Sequence, residues 1–220
     1  MDKVFDFLNY DTLYKRCVMS SVIHAIMVGG EYGAFPAEQS WDRINYSFQN
    51  LAGVRGTISF AEDRYICVIQ NNAMYETYTN QYMLELLRGA EEKTIDLANR
   101  EALQYVLDDF DGKVVPFVSA AFWGNKDINY SNLSEEQIVK ISDDAILPLL
   151  YSEDDTKNFW KESYEMTDEQ IKLSEDIYKR RISIKGKMYL DINEISKLKE
   201  WFGNIDECIE SFQELDIYLI

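Results

Sequence analysis

Two short apolar segments joined by four residues constrain the fold of this chain more than any other feature. Residues 57–60 alternate polar and apolar side chains, and residues 65–69 form a dense run of β-branched and aromatic residues. Both patterns are typical of strands, and the connection at residues 61–64 is short enough for a hairpin. We therefore predict an antiparallel sheet here, preceded by a further strand at residues 46–48.

The segment before this sheet has the pattern of a helix. Asp11–Val28 is largely apolar, Asp11 can accept a backbone N–H as the N-cap, and Gly29-Gly30 ends the run. Because the second half of the segment is apolar nearly all round, we predict that this helix lies at the centre of the molecule. Glu31–Gln39, which contains glycine and proline, is predicted to be a loop.

Helical spacing dominates much of the remaining chain. One predicted helical face after Asn72 consists of Ile95, Ala98, Ala102, Val106 and Phe110. Lys113–Trp123 returns to strand character, although Pro116 confines this segment to a sheet edge or a bulge. From Ser131 onward a series of helices is predicted, two of which begin at the capping boxes Ser134–Gln137 and Thr167–Gln170.

These patterns together predict a single α+β domain over residues 1–220. A β-rich core at roughly 41–123 is followed by an acidic helical region at roughly 131–220, which ends in a helical hairpin divided at Gly203-Asn204. The predicted sheet is small and mainly antiparallel, runs from about Tyr46 to Ile69, and packs on the N-terminal helix. Val114–Phe122 is a candidate additional strand.

Charge restricts the kind of partner that this chain can bind. The 220 residues include 39 acidic and 22 basic side chains, a formal net charge of −17, and residues 134–220 alone contain 21 acidic and 11 basic side chains. Such a charge repels the phosphates of nucleic acids and the surface of an anionic membrane, so we expect neither as a direct partner. A basic protein, such as a toxin or a nuclease, is the expected partner.

The cysteines and the apolar segments indicate a cytoplasmic protein. Cys17, Cys67 and Cys208 are far apart in apolar surroundings, as expected for reduced, buried thiols. The N-terminal segment lacks the basic start of a signal peptide, and no apolar run approaches the ~20 residues that span a bilayer. No Cys/His spacing suits zinc and no calcium loop occurs, so neither a metal nor a cofactor is expected.

The sequence contains no catalytic signature, and no catalytic residue is assigned. The glycine and serine motifs of common nucleotide-binding and hydrolytic sites are absent. His24, the only histidine, shares a predicted helical face with Ser20 and Cys17. It is either a base for one of these nucleophiles or a core histidine with hydroxyl or backbone partners. Side chains that project in parallel from one helix leave little room for a substrate, which favours the core role.

Residues 41–60 form the most specific stretch of the sequence. The candidate binding residues within it are Trp41, Asp42, Asn45, Tyr46 and Arg55. Aromatic rings supply rigid contact area, and amide and guanidinium groups supply fixed hydrogen bonds, which suits recognition. In the alternative interpretation the block is structural, with Trp41 packed in the core and Arg55 neutralising a carboxylate.

This block resembles one in an uncharacterised bacterial protein family, in which W-D-x-x-N-Y is followed by G-x-R-G-T-I-S-F. The matching residues here are 41–46 and 53–60, and the resemblance implies no known activity. By type alone, a small acidic cytosolic protein is similar to the immunity proteins of bacterial toxin systems.

Three hypotheses follow for the function. The first is an acidic protein-binding module, of the immunity or antitoxin type, whose charge steers a basic partner into contact. The second is an enzyme of unrecognised class with a site near Trp41–Arg55, which requires a pocket on which those side chains converge. The third is a nucleic-acid mimic whose carboxylates occupy a basic groove.

Overall fold

The computed structural model describes residues 1–30, 37–77, 79–110 and 112–220, and these residues form an α+β fold. Its strands are β1 (Asp2–Lys3), β2 (Glu38–Asp42), β3 (Asn45–Gln49), β4 (Val54–Phe60), β5 (Arg64–Asn71), β6 (Leu107–Phe110), β7 (Lys113–Pro116), β8 (Ala120–Asn125), β9 (Asn129–Ser131), β10 (Met188–Leu190) and β11 (Ile217–Leu219). Its helices are α1 (Tyr10–Met27), α2 (Asn80–Leu86), α3 (Glu92–Arg100), α4 (Glu135–Ile141), α5 (Leu147–Leu150), α6 (Glu153–Ser163), α7 (Asp168–Ser183), α8 (Ile192–Phe202) and α9 (Asp206–Glu214). Two 3₁₀ segments, Asn72–Thr77 and Ala102–Val106, complete the described elements.

A seven-stranded antiparallel sheet contains the predicted hairpin. Its strand order is β1-β9-β8-β5-β4-β3-β2, and β4 pairs with β5 from Phe60↔Tyr65 to Val54↔Asn71. The strand predicted at residues 46–48 is present as β3. The sheet extends further than predicted, because β2 begins at Glu38 within the segment expected to be a loop. Residues 31–36 of that predicted loop lie outside the described residues.

The strand predicted at Val114–Phe122 divides into two strands with different partners. β7 ends at Pro116 and pairs with β6 in a separate two-stranded sheet. β8 pairs with β5 in the main sheet. Since proline has no N–H for a central ladder, the break at Pro116 has a direct physical cause.

The helix predicted along the face from Ile95 to Phe110 is shorter than expected. α3 ends at Arg100, and the backbone leaves the helical region at Glu101 with φ −125° and ψ −84°. The 3₁₀ segment Ala102–Val106 and strand β6 follow. Of the predicted face, Ala98, Ala102 and Val106 are buried and Ile95 and Phe110 are half-buried. The apolar spacing did not reveal the change of backbone conformation.

Helix α1 is central, as predicted, since 13 of its 18 residues are buried. It contacts α5, α6, α7, α9 and the edge strand β2. The predicted cap was wrong by two residues: the side chain of Asn9, not Asp11, accepts the N–H of Thr12 at 2.9 Å. Because Asn9 has extended backbone angles, the helix begins at Tyr10 and Asp11 falls inside its first turn.

The two faces of the sheet have different coverings. One face packs against α1 and the C-terminal helices in the larger apolar core. On the other face, α3 and the following 3₁₀ segment cover β5 and β8 in a smaller core. Over β2, β3 and β4 this second face carries the polar side chains of Asp42, Asn45, Ser47, Arg55, Thr57 and Ser59, and we call it the polar face.

The C-terminal region is helical, as predicted. Capping boxes are present at Ser134, Thr167 and Asp191, and each satisfies backbone N–H groups at the start of its helix. α8 and α9 are separated at Gly203-Asn204, as predicted, and Gly203 ends α8 with a positive φ of 71°. The parallel pair β10 and β11 was not predicted, because strands of three residues are too short for a readable alternation.

Candidate functional site

Trp41 and Tyr46, two of the five candidate binding residues, lie in the larger core. The indole N–H of Trp41 donates to Ser21 Oγ at 2.8 Å, and its ring stacks on Phe60. The Tyr46 hydroxyl donates to Gln39 Oε1 at 2.8 Å. Trp41 is 8% exposed and Tyr46 is 1% exposed, so both side chains pack and hydrogen-bond inside the protein.

Asp42 and Asn45 lie on the polar face and belong to one hydrogen-bond network. The Tyr105 hydroxyl donates to Asp42 Oδ2 at 2.5 Å and accepts from Asn45 Nδ2 at 3.2 Å. Asn45 Nδ2 also donates to Glu101 Oε2 at 2.9 Å, while Asn45 Oδ1 accepts the Ser59 hydroxyl at 2.6 Å. Loss of hydration and the Asp42 carboxylate raise the pKa of Tyr105 to about 12.

Arg55 also lies on the polar face, but at the opposite end of β4 from this network. Its Nε donates to Gln70 Oε1 at 2.9 Å, and its Nη2 donates to the carbonyl of Leu107 at 2.8 Å. Within the described residues Arg55 forms no ion pair. The alternative in which Arg55 neutralises a carboxylate is therefore not what the structure contains.

The structure thus divides the five candidates between the two sides of the sheet. Successive side chains of a strand point to opposite faces, so neighbours such as Trp41 and Asp42 separate necessarily. Between the Asn45 network and Arg55, the hydroxyls of Ser47 and Thr57 lie 3.1 Å apart. A cleft of about 420 Å³ borders this hydroxyl pair, Arg55 and Tyr105.

Sequence reasoning missed the residues that complete the polar face from outside the sheet. Glu101 and Tyr105 come from the end of α3 and the 3₁₀ segment, and Asp108 comes from β6. Gln70, on β5, joins Arg55 to Asp108. No motif connects these positions with residues 41–60. Only the packing of the α3–β6 segment on the sheet brings them together.

His24 is a core histidine with a hydroxyl partner. Its Nδ1 lies 2.8 Å from the Tyr164 hydroxyl, which donates to the carbonyl of Ala37 at 3.2 Å. Burial lowers the pKa of His24 to about 4. Ser20 accepts the indole N–H of Trp160 at 2.9 Å, so this hydroxyl also has a partner within the core. His24 also borders the cleft beside the hydroxyl pair.

Exposed carboxylates lie on α9 and on the edge strand β2 that it contacts. We call them the acidic edge: Glu207, Glu210 and Glu214, which helical spacing places on one face of α9, with Glu38 and Asp42 of β2, of which Asp42 lies near Glu214. Glu214 Oε2 accepts the backbone N–H of Trp41 at 2.9 Å and so ties α9 to β2. The pKa of Glu214 is raised by partial loss of hydration, an effect that the Trp41 N–H opposes and the nearby Asp42 carboxylate reinforces.

Comparisons with models of protein families, with curated proteins and with solved structures find no match for this chain. In the part of the chain that the structure describes, no helix has the length and apolar character needed to cross a membrane. No group of three or more His, Cys, Asp or Glu side chains suited to a metal ion occurs among the described residues.

Proposed function

We propose that this protein is a cytoplasmic protein-binding module, an inhibitor of the immunity or antitoxin type that takes a basic protein on its acidic edge. The observation that carries the proposal is the junction at Trp41, where the Glu214 carboxylate joins α9 to β2. Because of this junction, carboxylates from two elements distant in sequence contribute to one surface.

The charge of this surface is available to a partner. Helical spacing places Glu207, Glu210 and Glu214 on one face of α9, a helix that contains no basic residue. None of the five carboxylates of the acidic edge forms an ion pair with a described residue. An unneutralised acidic surface accelerates encounter with a basic protein and repels acidic competitors.

The cysteines support the cytoplasmic part of the proposal. Cys17, Cys67 and Cys208 are all free thiols and all buried. Burial raises the pKa of each thiol, which keeps it protonated and unreactive at neutral pH. The core is thus built without a disulfide, as is usual for proteins of a reducing compartment.

The enzyme hypothesis has less support, because Trp41 and Tyr46 lie on the opposite face from Asp42, Asn45 and Arg55. A site that used all five side chains would have to reach both faces of the sheet. The third hypothesis, a nucleic-acid mimic, predicts the same acidic surface. It differs only in that the basic partner would be one that otherwise binds nucleic acid.

The test uses affinity capture from the source cell at low ionic strength, followed by measurement of association rates with the captured partner. We expect a basic protein whose association rate falls about tenfold or more as salt rises from low to moderate concentration. The double variant Glu207→Lys/Glu210→Lys should slow association strongly and leave the fold intact, since both side chains are exposed.

A matched control separates the surface from the overall charge. Asp127→Lys/Glu162→Lys changes the net charge by the same amount at exposed positions outside the acidic edge and should alter association much less. Equal effects of the two double variants, or capture of no basic partner, would refute the proposal. Competition between this protein and DNA for the captured partner would identify a nucleic-acid mimic.

A further inference from the structure

A second cleft lies where β4 and β5 meet β6. Its volume is about 390 Å³, and the side chains that matter for its chemistry are Arg55, Gln70, Asp108, Gln49, Asn50 and Asn72. Two opposite charges and four neutral amides thus border one concave surface. A sheet surface that is only exposed to solvent does not require a guanidinium and a carboxylate on the two sides of one buried glutamine.

Gln70 holds the two charges apart. Its Oε1 accepts from Arg55 Nε at 2.9 Å, and its Nε2 donates to Asp108 Oδ2 at 2.8 Å. Gln70 is only 2% exposed, so its amide is fixed between the two groups. Among the described residues, neither Arg55 nor Asp108 belongs to an ion pair.

Each charge is oriented by a neutral partner and keeps unused capacity. Arg55 also donates from Nη2 to the Leu107 carbonyl at 2.8 Å. Its two bonds use two of the five N–H donors of a guanidinium, which leaves donors for a ligand carboxylate. Asp108 Oδ1 accepts the Asp109 N–H at 2.9 Å, and an ionised carboxylate has acceptor sites beyond these two bonds.

We propose that this cleft binds a free α-amino acid, with Arg55 receiving the carboxylate and Asp108 receiving the ammonium group. An α-amino acid carries both charges on one carbon and can therefore bridge two protein charges that a single amide separates. A plain anion suits the cleft less well, because Asp108 and the net charge of −17 both oppose it. Gln49, Asn50 and Asn72 border the cleft and already hydrogen-bond Glu38, Asp143 and Gln70 respectively. Their remaining amide atoms favour a ligand with a polar side chain.

Alternative roles for the three residues make a different prediction. If Arg55, Gln70 and Asp108 serve only to attach β6 to the sheet, the cleft has no selectivity for a zwitterion. The proposal does not depend on the binding of a basic partner, because none of these three residues belongs to the acidic edge.

The first test measures the binding of each standard L-amino acid to the unmodified protein, by calorimetry and by NMR chemical-shift changes. We expect saturable binding of at least one polar amino acid. The N-acetyl derivative and the carboxamide of that amino acid, each of which lacks one charge, should bind about tenfold or more weakly. Absence of binding up to the solubility limit, or equal binding of the N-acetyl derivative, would overturn the proposal.

The second test uses variants of the two charged residues. Asp108→Asn and Arg55→Met should each weaken binding about tenfold or more, whereas Asp109→Asn and Arg43→Met should leave it unchanged. Asp109 and Arg43 are exposed. Circular dichroism and thermal melting establish that each variant is folded. If Arg55→Met unfolds, the Asp108→Asn variant and the two ligand derivatives test the proposal instead. An unchanged affinity of Asp108→Asn for the amino acid contradicts the proposal.

Discussion

Burial determines the chemistry of His24 more than its neighbours in the sequence do. The side chain lies in the core beside the Tyr164 hydroxyl, and loss of hydration lowers its pKa to about 4. The imidazole is therefore neutral at pH 7. The Cys17 thiol, seven residues earlier on α1, has a pKa raised well above its ordinary value by burial. Burial disfavours the charged form of both groups, so both are uncharged in this central helix.

The shifted pKa of His24 predicts that stability decreases as the pH falls from 6.5 toward 4. In the unfolded chain His24 titrates near 6.5, and in the folded chain near 4, so the unfolded state binds more protons in this window. This difference lowers the free energy of unfolding by about 3 kcal/mol as the pH falls through this window. Urea unfolding of the wild type and of His24→Gln above pH 6.5 and near pH 4 checks it, since the variant should lose less stability. Identical losses would contradict the prediction.

The close packing around Gly56 predicts that adding a side chain there lowers stability. A Cβ at this position would overlap the ring of Phe48, which is 5% exposed on the neighbouring strand. Gly56→Ala should therefore destabilise the protein by about 1–3 kcal/mol through overpacking. Chemical denaturation of a double-mutant cycle with Phe48→Leu provides the measurement. The cost of Gly56→Ala should shrink in the Phe48→Leu background, and equal costs in both backgrounds would exclude this mechanism.

At the scale of elements, the docking of α9 on β2 organises one edge of the sheet. An edge strand presents unpaired N–H and C=O groups that can pair with other chains. Here the Glu214 carboxylate accepts the Trp41 N–H, while Cys208 and Phe212 of α9 are buried in the larger core. The same helix thus occupies part of the edge and supplies three carboxylates of the acidic edge.

Glu214 and Glu210 give a matched pair for testing this contact. Glu214→Ala should destabilise the protein by about 1 kcal/mol, because the Trp41 N–H loses its charged acceptor at a site that keeps some solvent contact. Glu210→Ala, on the same helix but without a hydrogen-bond partner among the described residues, should change stability by less than about 0.5 kcal/mol. Unfolding free energies from urea denaturation distinguish the two. A larger effect at Glu210 would contradict the described contact.

Elements with strong local signals were predictable. The hairpin at residues 57–69 and the capping boxes at Ser134 and Thr167 are present, because alternation and capping depend on neighbouring residues. Strand β2 was missed, since its buried side chains include Gln39, a polar residue whose burial depends on Tyr46 across the sheet. The end of α3 at Arg100 was missed because the apolar spacing continues past it.

At the scale of the whole molecule, negative charge is the dominant long-range effect. The formal net charge is −17, and nine ion pairs are present among the described residues. Most carboxylates among the described residues therefore do not belong to an ion pair. Self-repulsion of this kind destabilises the compact state, and the same charge would attract the basic partner that we propose.

Screening of this repulsion should raise the melting temperature. Between low ionic strength and about 0.15 M salt the Debye length shortens to about 8 Å, which weakens repulsion between separate surface carboxylates. We expect a rise of several degrees in scanning calorimetry with sodium chloride. The variant Glu207→Lys/Glu210→Lys should melt at a higher temperature than the wild type at low salt and gain less from added salt. A melting temperature that falls as salt is added would contradict this account.

The sequence by itself determined the fold class, the central helix, the hairpin, the helical C-terminal region and the sign of the surface charge. These properties depend on composition and on spacing between near neighbours, which the chain carries before it folds. Tertiary structure alone decided which side of the sheet each candidate residue occupies and which distant residues meet it. Trp41 and Asp42 are adjacent in sequence yet lie on opposite faces, whereas Arg55 and Asp108 are far apart in sequence yet meet through Gln70. The physical reason is that strand alternation separates neighbours, and the packing of α3 and β6 on the sheet selects partners through contacts that no local pattern encodes.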